Sequence, residues 1–445
     1  MKILIVSWYF PPANTIGAIR IGNLARFLEA QGHETGILTA KNLPYPQTLS
    51  LSISSQRVVR TRWYDVNALP ARAWRLIKSA VRRMPVGRRH GNVAETGNEA
   101  READAPRDWL KERSWLSALY THLINFPDAQ IGWMPGAVWS GRRLIKGWRP
   151  DIIFASGPPF TTLLIAHILS RVARLPLVVE FRDRWSDDPY YPPPPWRRKF
   201  DMWLERHIVA RSVSVVTVSE PWAEAYRLRY GKPTLVVCNG YDAEEIGVGP
   251  FQGSPGKPYL RIVYTGGIYP GRRDPSPLFQ ALESQNFSPD DVRIEFYGTD
   301  PGMVLPIARR YSVSHLVRVY PGVPHDVALR LQCEADILLL MQWDDPKEQG
   351  NVPGKFFEYL GARRPILVLG LADGVPASIV QERNAGFYGS TPETIAAQID
   401  SWIATKRASD CIPALPECVR QGYSRDEQFA KLEQFFAELC LRGVN

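Results

Sequence analysis

A lysine and a glutamate lie three positions apart in the segment GNVPGKFFEYLGARRPILVLG, residues 350–370. If a helix begins near Pro353, its first turn presents unpaired N–H groups and partial positive charge to an anion, and Lys355 adds a full positive charge. Glu358, one turn further on, can accept hydrogen bonds from two neighbouring hydroxyls, as on a ribose. The pair therefore predicts a site for a ligand that carries phosphate and sugar groups. The alternative is a surface ion pair worth about 0.2–0.5 kcal/mol.

A second candidate anion site is the loop GGIYPGRRD, residues 266–274, which follows a predicted strand. Glycines such as Gly267 let the backbone approach a ligand closely, and the forked donors of Arg272 and Arg273 suit phosphate. In an open α/β sheet this loop lies at the carboxyl edge of the strands, where ligands bind. The loop matches neither the GxxxxGK[ST] nor the GxGxxG pattern. The alternative is a surface turn with two solvated arginines.

The elements that must position these residues alternate between strand and helix. The near-continuous apolar run KILIVSWYF predicts a central strand buried on both faces, and IRIGNLARFLEAQGH, ended by Gly32, has helical spacing. With the strand ETGILTA they form a βαβ unit that opens a doubly wound sheet. The same order predicts further strands at 151–159, 175–183, 213–221, 233–242, 259–269, 293–301, 317–323, 335–343 and 364–370.

The repeated order predicts two consecutive α/β domains, at 1–245 and 246–422. The boundary falls in the glycine- and proline-rich stretch EEIGVGPFQGSPGKP, and 445 residues are too many for one ordinary core. A last helix within 423–445 opens with a capping box formed by Ser424 and Glu427.

Composition limits the class of protein further. Hydrophobic residues make up 45% and charged residues 22% of the chain, which is typical of a globular protein, and the net charge of +9 indicates an anionic partner. The five cysteines form no CxxC pair and the histidines form no HxH or HExxH cluster, so we expect a reducing cytoplasm and no zinc site. The apolar start of the chain is interpreted as a strand and not as a signal peptide, and no apolar run is long enough to span a membrane.

One region, 56–118, fits neither domain, because it is rich in Arg and Lys and has little strand signal. Within it, ARAWRLIKSAVRRM places Trp74, Ile77, Val81 and Met84 on one helical face, with basic residues around them. A basic amphipathic helix can lie in a membrane interface, so 68–90 is a candidate contact with the inner membrane surface. The alternative is a helix packed on its own domain with a solvated basic side.

Five segments, in this order, resemble the GT-B glycosyltransferases of family 4, and in particular a bacterial branch that builds cell-surface polysaccharides. They are SWYFPPANTIGAIRIGNLARFLEAQGHETGILTA, VVEFRDRW, NGYD, YTGGIYPGRRDPSPL and VPGKFFEYLGARRPIL. The resemblance covers nearly the whole chain except about 56–118. It implies two Rossmann-like domains that face a cleft, with the nucleotide sugar held mainly by the C-terminal domain. It also implies that the last helix crosses back to the N-terminal domain.

The resemblance implies roles for individual residues. Glu358 would bind the ribose, and Lys355 with Arg273 or Arg272 would bind the diphosphate. Gly17, in the loop after the first strand, would approach the diphosphate and the sugar from the other domain.

One position departs from the family pattern. Members often carry a second glutamate eight positions before the ribose-binding one, near the donor sugar, and here that position is Gly350. Glu348, two residues earlier, is not expected to reach the sugar. We expect the backbone amides of Gly350, Asn351 and Val352 to bind sugar hydroxyls instead, which leaves the identity of the donor open.

Other candidates lie at the ends of predicted strands or close to them. Asp183, in EFRDRWSDD, is the candidate for a polar group near the reacting sugar or the acceptor hydroxyl. An ion pair with a neighbouring arginine, or a helix cap, is its structural alternative. Arg20, Ser156 and Tyr297 complete the set of substrate-binding candidates.

No two aspartates are separated by a single residue, so the DxD metal clamp of other glycosyltransferases is absent. We therefore predict a metal-independent enzyme without a cofactor, in which cationic side chains and helix N–H groups stabilise the leaving nucleoside diphosphate. The resemblance implies that it transfers a sugar, with retention of configuration, from a nucleotide sugar to a lipid-linked or polysaccharide acceptor. The enzyme would be cytoplasmic or peripheral on the membrane. A nucleotide-sugar epimerase or hydrolase, and an inactive nucleotide-sugar-binding subunit, are the alternatives, whereas no motif indicates nucleic-acid binding.

Overall fold

A computed structural model of the chain describes residues 1–50, 57–68, 122–190, 193–246, 254, 256–269 and 271–441. The basic helix predicted within 68–90 and most of the 56–118 insertion lie outside the described residues. Within the described ranges, no helix is both long and apolar enough to cross a membrane.

Within the described residues, seven strands form the first sheet. They are β1 (Lys2–Val6), β2 (Glu34–Ala40), β3 (Val58–Thr61), β4 (Ile152–Gly157), β5 (Leu177–Phe181), β6 (Ser214–Thr217) and β7 (Thr234–Val236). Their spatial order is β3-β2-β1-β4-β5-β6-β7. The central strand β1 pairs in parallel with β2 on one side and with β4 on the other.

Six further strands of the described chain form the second sheet. They are β8 (Leu260–Thr265), β9 (Val292–Tyr297), β10 (Val317–Tyr320), β11 (Ile337–Met341), β12 (Ile366–Leu369) and β13 (Gly386–Tyr388). Their spatial order is β10-β9-β8-β11-β12-β13, and all the pairs are parallel. In this sheet β8 occupies the position next to the switch in strand order that β1 occupies in the first sheet.

Helices connect the strands in both sheets. They are α1 (Ile16–Ala30), α2 (Met134–Trp148), α3 (Thr161–Ala173), α4 (Pro195–Arg211), α5 (Glu220–Tyr230), α6 (Ala243–Ile246), α7 (Ser276–Gln285), α8 (Pro301–Arg310), α9 (His325–Cys333), α10 (Gly354–Ala362), α11 (Val375–Glu382), α12 (Pro392–Ser409) and α13 (Arg425–Leu441). The predicted capping box of α13 is confirmed, because Ser424 Oγ accepts from the Glu427 amide over 3.2 Å and the Ser424 amide donates to the Glu427 carboxylate over 2.9 Å.

The strand order reverses at one place in each sheet, between β1 and β4 and between β8 and β11. Such topological switch points open a crevice at the carboxyl ends of the strands, where doubly wound sheets bind ligands. The predicted doubly wound architecture is confirmed. In the second sheet, the loops at the switch point are those after β8 and β11, which contain residues 266–274 and 342–353.

The described chain divides into two compact units. The first comprises Met1–Ala25, His33–Val179 and Pro193–Ser212, and the second comprises Arg26–Gly32, Glu180–Pro192 and Val213–Asn445. In the second unit, alternate residues of the central strands β8, β11 and β12 enter two apolar clusters. For example, Ile337 and Leu339 belong to one cluster and Leu338 to the other. Burial on both sides explains why the strands appear in the sequence as continuous apolar runs.

Two strands of the structure were not predicted, and a predicted helix starts earlier than expected. Both β3 and β13 lie at the edge of a sheet and are short, so neither has the long apolar run of a central strand. The helix α1 begins at Ile16, where Thr15 Oγ1 accepts from the Ala18 amide over 3.2 Å. Gly17, which was expected in the preceding loop, therefore lies in the first turn of α1.

Candidate functional site

Three of the predicted residues lie near the switch point of the first sheet. Gly17 and Arg20 are on α1, which follows β1, and Ser156 is near the carboxyl end of β4. Ser156 is fully buried and Arg20 is 5% exposed. All three belong to the first unit.

Lys355 lies in the first turn of α10 and reaches back to the end of β8. Its Nζ donates to the carbonyl oxygen of Thr265 over 2.6 Å and lies 3.8 Å from the centroid of the Tyr264 ring. The backbone of Gly266 passes beside this ammonium with φ of +111°, and a Cβ there would lie 3.0 Å from Nζ. A glycine is therefore needed at 266 to let the lysine reach the strand.

The N-terminus of α10 is open to a ligand. Pro353 is its N-cap residue, with φ of −65° and ψ of 142°, and no side chain caps the first N–H groups. Uncapped N–H groups and the helix dipole attract an anion, so the helix end and the Lys355 ammonium favour the same kind of ligand.

The electrostatic surroundings of Lys355 favour such a ligand further. Burial, and then the neighbouring positive charge of Arg273, lower the pKa of Lys355 to about 7, while Glu358 opposes the shift. A bound anion would stabilise the protonated form of the lysine. The positive groups of Lys355 and Arg273 are thus close together before a ligand binds.

Glu358 and Lys355 are not paired with each other. Within the described residues, the Glu358 carboxylate accepts one hydrogen bond, from Gln332 Nε2 to its Oε2 over 3.0 Å. Gln332, on α9, also donates to Thr265 Oγ1 over 3.1 Å, and so it ties the glutamate to the end of β8. Glu358 is half-buried and keeps acceptor capacity for hydroxyl groups of a ligand.

Arg273 folds over the loop after β8. Its Nη1 donates to the carbonyl oxygen of Gly267 over 3.0 Å, and the hydroxyl of Tyr264 donates to the same oxygen over 2.8 Å. Its guanidinium also lies 4.5 Å from the centroid of the Tyr269 ring. Gly267, Arg273, Lys355 and Glu358 are therefore brought together around the end of β8, whereas the sequence placed them on two separate motifs.

The loop that precedes α10 is held by its own hydrogen bonds. The Asn351 amide N–H donates to the carbonyl of Glu348 over 2.9 Å, and the Asn351 carbonyl accepts from Gln342 Nε2 over 3.0 Å. The backbone N–H of Asn351 is thus already used within the loop, and its side-chain N–H groups donate to Tyr190 and Glu348. Val352 is 5% exposed and packs in an apolar cluster.

The structure explains the absence of a glutamate at Gly350. This glycine has φ of +85°, and a Cβ would lie 2.3 Å from Cδ1 of Trp222. The Trp222 indole is itself fixed, because its Nε1 donates to the carbonyl of Gln349 over 3.1 Å. Any side chain at 350 would collide with this indole in the present arrangement.

Glu348 is buried, with 3% of its surface exposed. Its carboxylate accepts from the hydroxyl of Tyr190 and, over 3.0 Å, from Asn351 Nδ2. Burial raises the pKa of Glu348, and Arg273 and Arg272 are among the groups that oppose the shift. This carboxylate therefore lies in the field of both arginines that the sequence assigned to the diphosphate.

Asp183 and Tyr297 lie at or beside the ends of other strands in the second unit. Asp183 follows β5 and is exposed at the surface; partial desolvation of its carboxyl raises its pKa, and the charge of Arg182 opposes the shift. The neighbouring Arg184 is paired with Asp187 and not with Asp183. Tyr297, the last residue of β9, stacks on Tyr320 with ring centroids 4.7 Å apart. Its hydroxyl donates to Glu295 over 2.8 Å, and burial with this contact raises its pKa to about 12.

Sequence reasoning missed the residues that support the site. Thr265 and Gln332 hold Lys355 and Glu358, and the rings of Tyr190 and Trp343 hold Arg272. In the sequence, the one indication of such a role was that Thr265 directly precedes the glycine-containing loop 266–274. Among the described residues, no group of three or more His, Cys, Asp and Glu side chains could hold a metal ion.

Comparison with known proteins gives the following similarities. Residues 17–240 match the model of a family described as "Glycosyl transferase 4-like domain". A search of curated protein sequences found no match.

Solved structures share the fold over the whole chain at low sequence identity. HepE from Anabaena, in complex with UDP and glucose, is 14% identical with a TM-score of 0.56, covering 98% of this chain and 100% of that one. Sucrose-phosphate synthase from Thermosynechococcus elongatus is 13% identical with a TM-score of 0.57, covering 99% and 100%. The lipopolysaccharide outer core galactosyltransferase WaaB is 11% identical with a TM-score of 0.55, covering 98% and 100%.

Proposed function

The chain belongs to the glycosyl transferase 4-like family and is a glycosyltransferase of the GT-B fold, and from this premise we propose that it uses a nucleotide-sugar donor and a lipid-linked or polysaccharide acceptor. The reaction proceeds with retention of configuration at the sugar and without a metal ion. One observation carries the proposal. Lys355, at an uncapped helix N-terminus, lies beside Arg273 and one turn before Glu358.

These groups suit the two ends of a nucleoside diphosphate. The ammonium, the guanidinium groups of Arg272 and Arg273 and the N–H groups of α10 bind the diphosphate, and the Glu358 carboxylate binds the ribose hydroxyls. The HepE structure, which contains UDP and glucose, supports a nucleotide-sugar donor.

The same positive charges serve the chemical step. When the bond between the sugar and the phosphate breaks, negative charge grows on the leaving diphosphate, and fixed cations stabilise it more than they stabilise the donor. Because the sugar carbon passes through an oxocarbenium-like state, stabilising the leaving group matters more than a strong base. Asp183, at the end of β5, is the polar group that we place near the reacting sugar or the acceptor hydroxyl.

An acceptor attached to lipid requires access to a membrane surface. The WaaB neighbour acts on the outer core of lipopolysaccharide, which supports an acceptor of this class. On α4 of the first unit, Phe200 and Trp203 are 56% and 61% exposed, and the exposed side chains of Lys199 and Arg206 lie on the same helix. Exposed aromatic rings with basic neighbours suit an anionic lipid surface.

The membrane contact is tested with vesicles. We expect the protein to sediment with phosphatidylglycerol vesicles and not with phosphatidylcholine vesicles, and we expect Trp203→Ser to weaken sedimentation several-fold. Leu228→Ser is the matched control, because Leu228 is 81% exposed on α5 and has no assigned role. Equal loss in both variants would contradict this surface.

Two other functions are compatible with the same fold. An epimerase or hydrolase would consume a nucleotide sugar without an acceptor, and an inactive subunit would bind the nucleotide without turnover. The loss of the family glutamate at Gly350 is the observation that favours an inactive subunit.

The experiment that tests the proposal is a panel of nucleotide sugars, each examined for thermal stabilisation of the protein. Binding to the native state raises the melting temperature, and the shift grows with the logarithm of the ligand concentration divided by its Kd. The donor found in this way is then incubated with membrane extract, and transfer of labelled sugar is measured. Stabilisation followed by transfer supports the proposal. Turnover without an acceptor indicates the epimerase or hydrolase, and binding without turnover indicates the inactive subunit.

A further inference from the structure

Two aromatic rings hold the guanidinium of Arg272. Its Cζ lies 4.1 Å from the centroid of the Tyr190 ring and 4.9 Å from that of the Trp343 ring. The two rings are 6.1 Å apart and inclined at 61°, and all three residues belong to the second unit. Arg272 is therefore placed by ring faces, which attract a guanidinium without occupying its N–H groups.

The donors of Arg272 are left for a ligand. Within the described residues, its guanidinium donates to no carboxylate or carbonyl oxygen and forms no ion pair. Arg273, by contrast, uses one N–H on the carbonyl of Gly267. Five N–H donors in a fixed plane are suited to the oxygens of a phosphate group.

The Tyr190 ring is itself fixed through its hydroxyl. The hydroxyl donates to Glu348 and accepts from Asn351 Nδ2 over 3.1 Å, and Asn351 also donates to Glu348 over 3.0 Å. Glu348 is 3% exposed, whereas Tyr190 is 39% exposed. A buried carboxylate thus anchors a partly exposed ring, and its acceptor capacity is used on Tyr190 and Asn351 and not on Arg272.

We propose that Tyr190 is a positioning residue of the transferase, which holds Arg272 in one orientation before the donor arrives. This inference rests on the proposed function, because it assigns the Arg272 donors to the diphosphate of the nucleotide sugar. An unsupported arginine samples many rotamers and loses that freedom when it binds. An arginine that is already held binds the diphosphate without this loss.

The test is a double-mutant cycle on Tyr190→Leu and Arg272→Leu, with UDP and GDP as the ligands in calorimetric titrations. If Tyr190 acts through Arg272, Tyr190→Leu weakens binding of the preferred diphosphate by roughly five- to tenfold, as expected for a cation–π contact. The same change has little effect when Arg272 is already leucine, because the effects of residues that act together are not additive. Tyr190→Phe retains the ring but removes the hydroxyl that anchors it, so its affinity should lie between those of the wild type and Tyr190→Leu.

A matched control separates positioning from general damage. Arg293 lies 3.9 Å from the centroid of the Tyr259 ring in the same unit, away from the predicted site residues, so Tyr259→Leu removes a similar contact. It should leave diphosphate affinity unchanged.

The outcomes separate this inference from the function on which it rests. If the wild-type protein binds a diphosphate and the effects of the two changes on affinity are additive, Tyr190 does not position Arg272. If the wild-type protein binds neither UDP nor GDP, the proposed function is contradicted, and so is the role of Tyr190 that rests on it.

Discussion

Lys355, in the first turn of α10, donates to the carbonyl oxygen of Thr265, the last residue of β8, over 2.6 Å. This bond joins the two elements that meet at the switch point of the second sheet. It places a cation, an uncapped helix end and a glycine backbone at the same point. Positive charge is therefore concentrated at this point of the second sheet.

The first prediction concerns pH. The pKa of Lys355 in the free protein is lowered to about 7, and a bound anion raises it again. Affinity for UDP should therefore be highest below pH 7 and should fall as the pH rises above 7, by up to about tenfold per pH unit for one coupled proton. Calorimetric titrations above about pH 7.5 measure this fall, because the terminal phosphate of UDP no longer titrates there.

Lys355→Arg is the control for the pH dependence. An arginine stays charged over the whole range, so this variant should bind UDP with an affinity that hardly changes with pH. A wild-type affinity that is equally flat would show that the titration of Lys355 is not linked to binding.

The second prediction concerns the ribose. Hydrogen bonds from two hydroxyls to the Glu358 carboxylate should each contribute about 1.5–3 kcal/mol, so Glu358→Ala should weaken UDP binding by at least about tenfold. The 2′,3′-dideoxy analogue of UDP should bind the wild-type protein as weakly as UDP binds the variant. The test is to measure the affinities of the wild type and of Glu358→Ala for UDP and for its dideoxy analogue. If the variant still distinguishes UDP from its dideoxy analogue as the wild type does, Glu358 does not bind the ribose.

The third prediction concerns Gly350. Alanine there would have to adopt φ of +85° with its Cβ 2.3 Å from Trp222 Cδ1. A left-handed backbone alone costs about 1–2 kcal/mol, so Gly350→Ala should lower the melting temperature by several degrees. Gly354→Ala is the matched control, since no atom lies within 4 Å of its Cβ position, and it should melt close to the wild type. Similar melting temperatures for both variants would mean that the loop around residue 350 rearranges to accommodate a side chain.

The fourth prediction concerns Gln332, which sequence reasoning missed. Its amide ties Glu358 to Thr265, so Gln332→Leu should free the glutamate and leave Thr265 Oγ1 without this donor. We expect a several-fold loss of UDP affinity and a smaller preference for UDP over its dideoxy analogue. Gln428→Leu offers a control, because Gln428 is equally buried but bonds to Cys238 and Gly422. If the preference for UDP is unchanged in Gln332→Leu, Gln332 does not orient the ribose-binding group.

Local sequence patterns predicted much of the fold and part of the site. Strands buried on both faces, such as β11, appear as continuous apolar runs, and Lys355 and Glu358 share one short helix, so their positions follow from spacing alone. The edge strands β3 and β13 lack such runs and were missed.

Contacts between distant segments could not be predicted from one sequence. Tyr190 and Glu348 are 158 positions apart, and neither belongs to a motif that would predict the contact between them. The fit of Trp222 against Gly350 is likewise a property of packing, and so the cause of the missing glutamate became visible only in three dimensions.

The central claim is that protein cations, and no metal ion, stabilise the departing diphosphate. The most direct measurement is the turnover number for sugar transfer from the identified donor, in excess EDTA, for the wild type and for Arg273→Gln. We predict an unchanged turnover number for the wild type with EDTA, and a loss of about 10²–10³-fold for the variant, as for removal of one preorganised donor. Wild-type activity that is lost with EDTA and restored by a divalent cation, with the variant little affected, would contradict the account.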